Sequence, residues 1–193
     1  MDVIDLDMGH WFIWSDALSC RVHGGFRYAN VAQKIQAVYE YTEGDEAYVT
    51  DEPMQCDAYG LRAGGALFWT LYPDNVPGEF HIFARGAISA LVGDFKTSNL
   101  GRDIDNYSDP GPGDIFIDYD ATRNYTRIIP VTEVAVGVEW EYGPFFCSAG
   151  YELSVWGNMA ERNFPTSSWV PTVIEDVSDL GLDGFFFHLG TYR

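Results

Sequence analysis

Residues 132–141 read TEVAVGVEWE, and this alternation is the clearest structural signal in the chain. Successive side chains of a β-strand point to opposite faces, so one face carries three valines and a tryptophan. The other face combines Glu133, Glu139 and Glu141 with alanine and glycine, whereas a solvent-facing side would be rich in larger polar residues. Small residues beside isolated charges indicate a confined interior. The segment therefore predicts a strand that is apolar outside and polar inside, as in transmembrane barrels.

The same two-sided alternation recurs along the chain and marks seven strands. They are predicted near residues 2–14, 18–41, 57–72, 80–96, 126–142, 145–160 and 181–193. The connections between them alternate in length: three are short, at 15–17, 73–79 and 143–144, and three are long, at 42–56, 97–125 and 161–180. An up-and-down barrel places alternate connections on the same rim. Short turns on one rim and long loops on the other are typical of outer-membrane barrels.

These patterns predict an all-β protein, an antiparallel up-and-down transmembrane β-barrel with about seven or eight strands in this chain. We expect one barrel domain over residues 1–193, either complete or part of a larger barrel. With seven strands, the first and last run in the same direction, whereas bacterial single-chain barrels have even antiparallel counts. We therefore expect the domain to be truncated at its N-terminus, unless the strand count is off by one.

Charged residues on the inward-facing side of the strands are the candidate functional residues. They are Asp5, Asp7, Arg21, Arg27, Arg62, Arg85, Glu133, Glu139, Glu141 and Glu152. In an open pore these charges would line the lumen and set its ion selectivity. In a narrow barrel they would instead form a network of ion pairs that fills the lumen and blocks flow. The sequence leaves both interpretations open.

Aromatic residues gather near the short turns, which predicts an aromatic girdle at a membrane interface, where amphipathic rings are enriched. The predicted girdle consists of Trp11, Trp14, Trp69, Tyr72, Trp140, Tyr142, Phe145 and Tyr192. Outer-membrane lipids are therefore expected partners.

Composition excludes several functional classes. Asp and Glu number 29 against 11 Lys and Arg, a formal net charge of -18, so we expect no nucleic-acid partner. The three cysteines are far apart, and the four histidines lie in separate strands, so we expect no metal site and no cofactor. Neither a GxSxG elbow nor a P-loop is present, which argues against an enzyme. The three long connections are acidic, and their summed field would attract cations to one mouth of a pore.

Several segments resemble strands of a known family, in the family's order. They are FARGAISALVGDF at 83–95, EWEY at 139–142, GYELSVW at 150–156 and LGLDG at 180–184, with VIDLDMG at 3–9 and GFRYA at 25–29. This set resembles the Legionella-type major outer membrane protein family, a pore-forming group that is also abundant in planctomycetes. The similarity covers most of the chain except the long connections. The chain departs from the usual barrel terminus, because it ends in Tyr192 and Arg193 instead of a terminal aromatic.

The resemblance implies a porin-like β-barrel in the outer membrane of a Gram-negative-type bacterium, with no enzymatic centre. Such a barrel allows passive diffusion of small solutes, here with an expected bias towards cations, and it can be an oligomer. Two alternatives stay open at this point. One is a non-conducting barrel that anchors the envelope or presents loops to partners; the other is a soluble lipocalin-like barrel, whose apolar face would point inward.

Overall fold

The chain forms one sheet of seven long strands. The computed structural model describes residues 1–40, 46–71, 77–105, 107–111, 113–165 and 173–191. The strands are β1 (Asp2–Ser15), β2 (Leu18–Glu40), β3 (Glu46–Leu71), β4 (Glu79–Asp105), β5 (Ile115–Tyr142), β6 (Phe145–Pro165) and β7 (Val173–Thr191). None of the described residues belongs to a helix long and apolar enough to cross a membrane.

Every strand pairs with its neighbour in sequence, and every pair is antiparallel. This order confirms the predicted all-β, up-and-down architecture. Across the described residues, β1 and β7 are not paired with each other, so the curled sheet is open along one side. Because seven antiparallel strands alternate in direction, these two edge strands run the same way.

The short turns show why glycine is needed at this rim. Gly143 has a φ of 60° and precedes Pro144 in the tight turn between β5 and β6. A positive φ at the first central position is what glycine provides in such hairpins. Gly78, before β4, has a φ of 99°, and a Cβ on it would lie 2.2 Å from the carbonyl oxygen of Glu141. The strand ends that flank the three short connections lie on one rim of the sheet, hereafter the turn rim.

The opposite rim, hereafter the loop rim, differs from the prediction. Much of the three segments predicted as long loops is strand, because the hairpins continue well past the apolar alternation: β2 pairs with β3 as far as Glu40 and Ala47, and β4 with β5 as far as Ile104 and Ile115. The backbone ladder needs no apolar side chains, and polar contacts support it. Asp51, for example, accepts a hydrogen bond from Gln36 at 2.9 Å.

The sheet divides near Asn158. β5 pairs with β6 only between the turn rim and the pair Val131–Trp156 in the described residues. From that pair towards the loop rim, the described part of β5 pairs with β4, and that of β6 pairs with β7. Pro130 has no N–H for a ladder bond and stands where β5 leaves β6. Asn158 has a φ of 58°, and its side-chain amide donates to the carbonyl oxygen of Ile128 at 3.1 Å.

We expect Asn158→Val to destabilise the protein more than Asn158→Gly, by about 1–2 kcal/mol. Both variants lose the hydrogen bond to Ile128, but only valine is strained at a positive φ. Urea unfolding of the protein in lipid vesicles, followed by tryptophan fluorescence, measures the difference. Equal losses in the two variants would show that the left-handed backbone at this position is unimportant.

The outward face of the sheet is apolar. Val134, Val136 and Val138 are 50%, 60% and 54% exposed, whereas Ala135 and Glu139, which have the opposite parity on the same strand, are buried. On β3 the outward apolar face runs from Tyr59 to Trp69, ten residue steps or about 33 Å of strand. At a tilt of about 40° this length spans about 25 Å, the height of the apolar band of a membrane barrel.

A polar row borders this band on the side of the loop rim. Its members are successive partners in the register: Asp2, Asn30, Asp57, Asp94 and Thr126. Asp57 accepts hydrogen bonds from Tyr28 at 2.8 Å and Asn30 at 2.7 Å, and Asp94 accepts one from Thr126 at 2.7 Å. Within the band, the ionisable Asp183 on β7 accepts a hydrogen bond from the Tyr151 hydroxyl. On the side of the loop rim, the apolar band ends at the polar row.

Candidate functional site in the sheet interior

The sheet is strongly curved about its concave face. In a flat sheet, β2 and β5 would be about 14 Å apart. Here Arg27 of β2 reaches both Glu133 of β5, at 2.9 Å, and the ring of Trp156 on β6, whose centroid lies 5.8 Å from its guanidinium carbon. The curvature is therefore that of a narrow barrel, in which inward side chains from distant strands meet.

Arg27 is the most deeply buried member of the charged set, with 2% exposure. Its Nε and Nη2 donate to the two carboxylate oxygens of Asp5 at 2.6 and 2.7 Å, a bidentate pair with the neighbouring strand β1. Its Nη1 lies 2.9 Å from Oε1 of Glu133. A guanidinium this far from solvent requires such partners, because an unpaired buried charge is strongly destabilising.

Arg62 joins the same network from β3. Its Nη1 donates to Asp7, and its Nη2 donates to Oε2 of Glu133 at 3.0 Å. The same Nη1 lies 3.0 Å from Nε2 of His23, and because a guanidinium only donates, Nε2 is the acceptor. Glu133 therefore links the two arginines: Oε1 of its carboxylate contacts Arg27, and Oε2 contacts Arg62.

The remaining predicted charges lie closer to the turn rim. Arg85 and Glu152 form a separate, half-exposed pair across β4 and β6. The guanidinium carbon of Arg21 lies 5.9 Å from the ring centroid of Trp11. Glu139 is buried, and Glu141 lies 3.7 Å from Nε2 of His81.

The charged side chains surround an open chamber of about 720 Å³ on the turn-rim side of the interior. Nine of the ten predicted charges line it, Glu141 being the exception. Sequence reasoning missed its aromatic lining, which includes Phe68 and Phe83, with ring centroids 6.0 Å apart. The ring of Phe186 packs against Phe83 from β7, with centroids 6.2 Å apart. Phe68 has the strand parity of Arg62, and Phe83 has that of Arg85, which is the signal that could have identified them.

The structure describes six of the eight residues of the predicted aromatic girdle. Trp14, Trp69, Tyr142 and Phe145 are exposed, and the Trp140 indole, which is half-buried, donates to the carbonyl oxygen of Pro77 at 3.0 Å. Trp11 differs from the prediction, because it points into the chamber and packs on Phe68 with ring centroids 5.1 Å apart. Its position in β1 gives it the parity of Asp5 and Asp7. Tyr72 and Tyr192 lie outside the described residues.

A second set of inward residues lies between the charged network and the loop rim, and the sequence analysis did not identify it. This apolar layer consists of Ala29, Val31, Met54, Cys56, Ala58, Leu91, Phe95, Ile129, Val131, Trp156 and Met159, all buried. Met159 joins it because the register shift between Trp156 and Ala160 changes the direction of the side chain. Strand parity again was the available signal, since Cys56 and Ala58 share the face of Arg62.

Inward glycines make room for the aromatic lining. A Cβ on Gly150 would lie 2.7 Å from Cζ of Phe186, and one on Gly137 would lie 2.7 Å from Cζ of Phe83. Both would also meet backbone oxygens closer than 2.5 Å. Gly137 and Gly150 are therefore inward positions that aromatic rings from neighbouring strands cover.

Histidine and serine side chains of the interior also make polar contacts. Ser154 accepts a hydrogen bond from the Trp156 indole at 2.8 Å, and His81 lies 3.1 Å from the hydroxyl of Thr70. The described residues contain no group of three or more His, Cys, Asp or Glu side chains arranged to hold a metal ion.

Comparison with known proteins agrees with this architecture. The family model described as Legionella pneumophila major outer membrane protein precursor matches residues 1–192, essentially the whole chain. Comparison with curated proteins gives no match, and comparison with solved structures gives none. A sheet that is apolar outside and ionised inside is the pattern expected of such a protein. The chain belongs to this family of Legionella-type major outer membrane proteins and is a protein of the outer membrane.

Proposed function

We propose that the protein is a porin-like barrel that lets small solutes cross the outer membrane passively. The observation that carries the proposal is the chamber, which is lined by ionised groups although the outer face of the same strands is apolar. Ionised side chains facing a cavity are what a hydrated pathway through a membrane requires. The pathway would lead from the turn rim, through the chamber, towards the loop rim.

The charges of the chamber favour cations. Its lining contains five carboxylates, of Asp5, Asp7, Glu133, Glu139 and Glu152, and four guanidinium groups, of Arg21, Arg27, Arg62 and Arg85. The excess of one negative charge inside has the same sign as the formal net charge of -18 of the whole chain, of which it is a part. Such a field raises the local concentration of cations and lowers that of anions.

A non-conducting barrel is the second candidate, and the apolar layer favours it. A barrel of eight strands has an interior just wide enough to be filled by side chains. The third possibility, a soluble lipocalin-like barrel, requires an inward apolar face. The exposed valines of β5 and the outer-membrane family contradict that possibility.

Planar-bilayer recordings of the purified full chain test the proposal. We expect channels with a permeability to K⁺ above that to Cl⁻, and a lower ratio for Glu152→Gln, which leaves Arg85 without its carboxylate. The control is Thr126→Ser, which changes the outward polar row and leaves the chamber intact. A complete absence of conductance would support the non-conducting barrel, and a preference for Cl⁻ would contradict the cation bias.

A further inference from the structure

The buried side chains of the apolar layer pack on one another although the sheet is open between its two edge strands. They come from β2 to β6, and the half-buried Leu180 of β7 packs against them. Cys56 is 0% exposed and Trp156 is 1% exposed. These five strands thus converge on a common dry centre.

The layer lies across the path that the proposed function requires. On the side of the loop rim, the next inward residue after Arg27 in β2 is Ala29, and the one before Glu133 in β5 is Val131. In β3, Gly60 and then Ala58 precede Arg62 on the same face. Trp156 faces the guanidinium of Arg27 from the apolar side. A solute that enters the chamber from the turn rim therefore meets this layer next.

The large side chains of the layer also cover Gly93, the inward residue of β4 between Leu91 and Phe95. A Cβ added to Gly93 would lie 2.5 Å from Cδ1 of Ile129 and 3.0 Å from Sγ of Cys56. The layer is therefore closely packed even at its smallest inward neighbour. An ion crossing such a constriction would have to lose its hydration shell without receiving polar ligands in exchange.

We propose that the apolar layer is the permeation barrier of the lumen, and that Trp156 is the residue that sets it. The inference rests on the proposed pore function, because a barrier determines selectivity only where solutes cross. Trp156 is assigned this role because it is among the largest fully buried side chains and touches the charged network directly. Opening of the pore then requires Trp156 to move, and removal of its ring keeps the lumen open.

The native Cys56 reports on the layer independently of conduction. A charged methanethiosulfonate reagent reaches only thiols in contact with water. We expect it to leave Cys56 unmodified in the wild-type protein folded in lipid vesicles. In Trp156→Ser we expect the modification rate of Cys56 to rise about tenfold or more, as peptide mass spectrometry can measure. Serine is chosen because a cavity lined by apolar groups alone stays dry.

The matched control is Leu153→Ala, on the same strand but on the outward face, where it is 41% exposed. It should leave Cys56 protected. If Trp156→Ser does not fold, judged by the loss of its heat-modifiable migration on gels, Leu91→Ser tests the same layer from β4. A wild-type Cys56 that reacts readily, or a Cys56 that stays protected in the folded layer variants, would overturn the inference.

Conductance separates the inference from the function on which it rests. We expect Trp156→Ser to conduct several-fold more than the wild type. If the wild type never conducts while Trp156→Ser does, the barrier stands and the pore function of the native protein fails. If both conduct equally while Cys56 is protected in one and modified in the other, the pore function stands and the barrier is refuted as the limiting step.

Discussion

Glu133→Ala should lower the free energy of unfolding by about 3–5 kcal/mol, the loss expected when a partner is removed from a buried ion pair. Glu133 contacts Arg27 and Arg62 at 2.9 and 3.0 Å, and its side chain is 15% exposed. Without it, the buried guanidinium of Arg27 retains only Asp5 as its carboxylate partner. Urea unfolding in lipid vesicles measures the loss.

The control for this prediction is Glu152→Ala, which breaks an ion pair of the same chemistry that is more exposed. The side chains of Arg85 and Glu152 are 36% and 38% exposed, so solvent screens the interaction and the arginine can be hydrated alone. We expect a loss of about 1 kcal/mol or less there. Similar losses in the two variants would mean that the Glu133 network is not a buried one.

Val136→Arg tests the outward face and should destabilise the folded protein in a bilayer by about 2–4 kcal/mol, the cost of an arginine on the lipid face near the middle of a membrane barrel. Val136 is exposed and lies between Val134 and Val138 on the apolar band. In water, by contrast, an exposed valine replaced by arginine would have almost no effect. The measurement is again unfolding in vesicles.

Thr126→Arg is the matched control, because it places the same side chain on the same strand ten residues away, in the polar row. There the arginine can extend towards the headgroups and meet Asp94, the partner of Thr126. We expect a change of about 0–1 kcal/mol. A loss of stability at Thr126 as large as that at Val136 would show that the apolar band extends as far as Thr126.

The architecture could be predicted because period-two alternation depends only on neighbouring residues. The segment 132–141 shows which of its faces is crowded with small and charged residues, and the structure has Val136 outside and Glu133 inside. The seven strands and their order followed from repeating the same argument along the chain. What alternation cannot determine is where a ladder stops, which is why residues 46–56 were expected in a loop but belong to β3.

The interior was less accessible to prediction. Alternation assigns Arg27, Arg62 and Glu133 to one face, but only the curvature of the sheet brings β2 and β3 to β5. The apolar layer escaped notice for a related reason. Cys56 lies in a segment that was expected to be a loop, and its inward parity becomes informative only when it is combined with that of residues such as Leu91 and Ile129 on other strands. Trp11 shows that sequence distance from a turn does not identify a girdle residue when its parity points inward.

The central claim is that the valines of β5 face hydrocarbon while their neighbours face an enclosed lumen. Single spin labels at residues 133 to 138, in the protein folded in lipid vesicles, test it through their collisions with oxygen, which concentrates in the bilayer, and with a water-soluble nickel complex. The account predicts high oxygen accessibility at 134, 136 and 138 and low accessibility at 133, 135 and 137. The opposite phase, or no alternation at all, would contradict it.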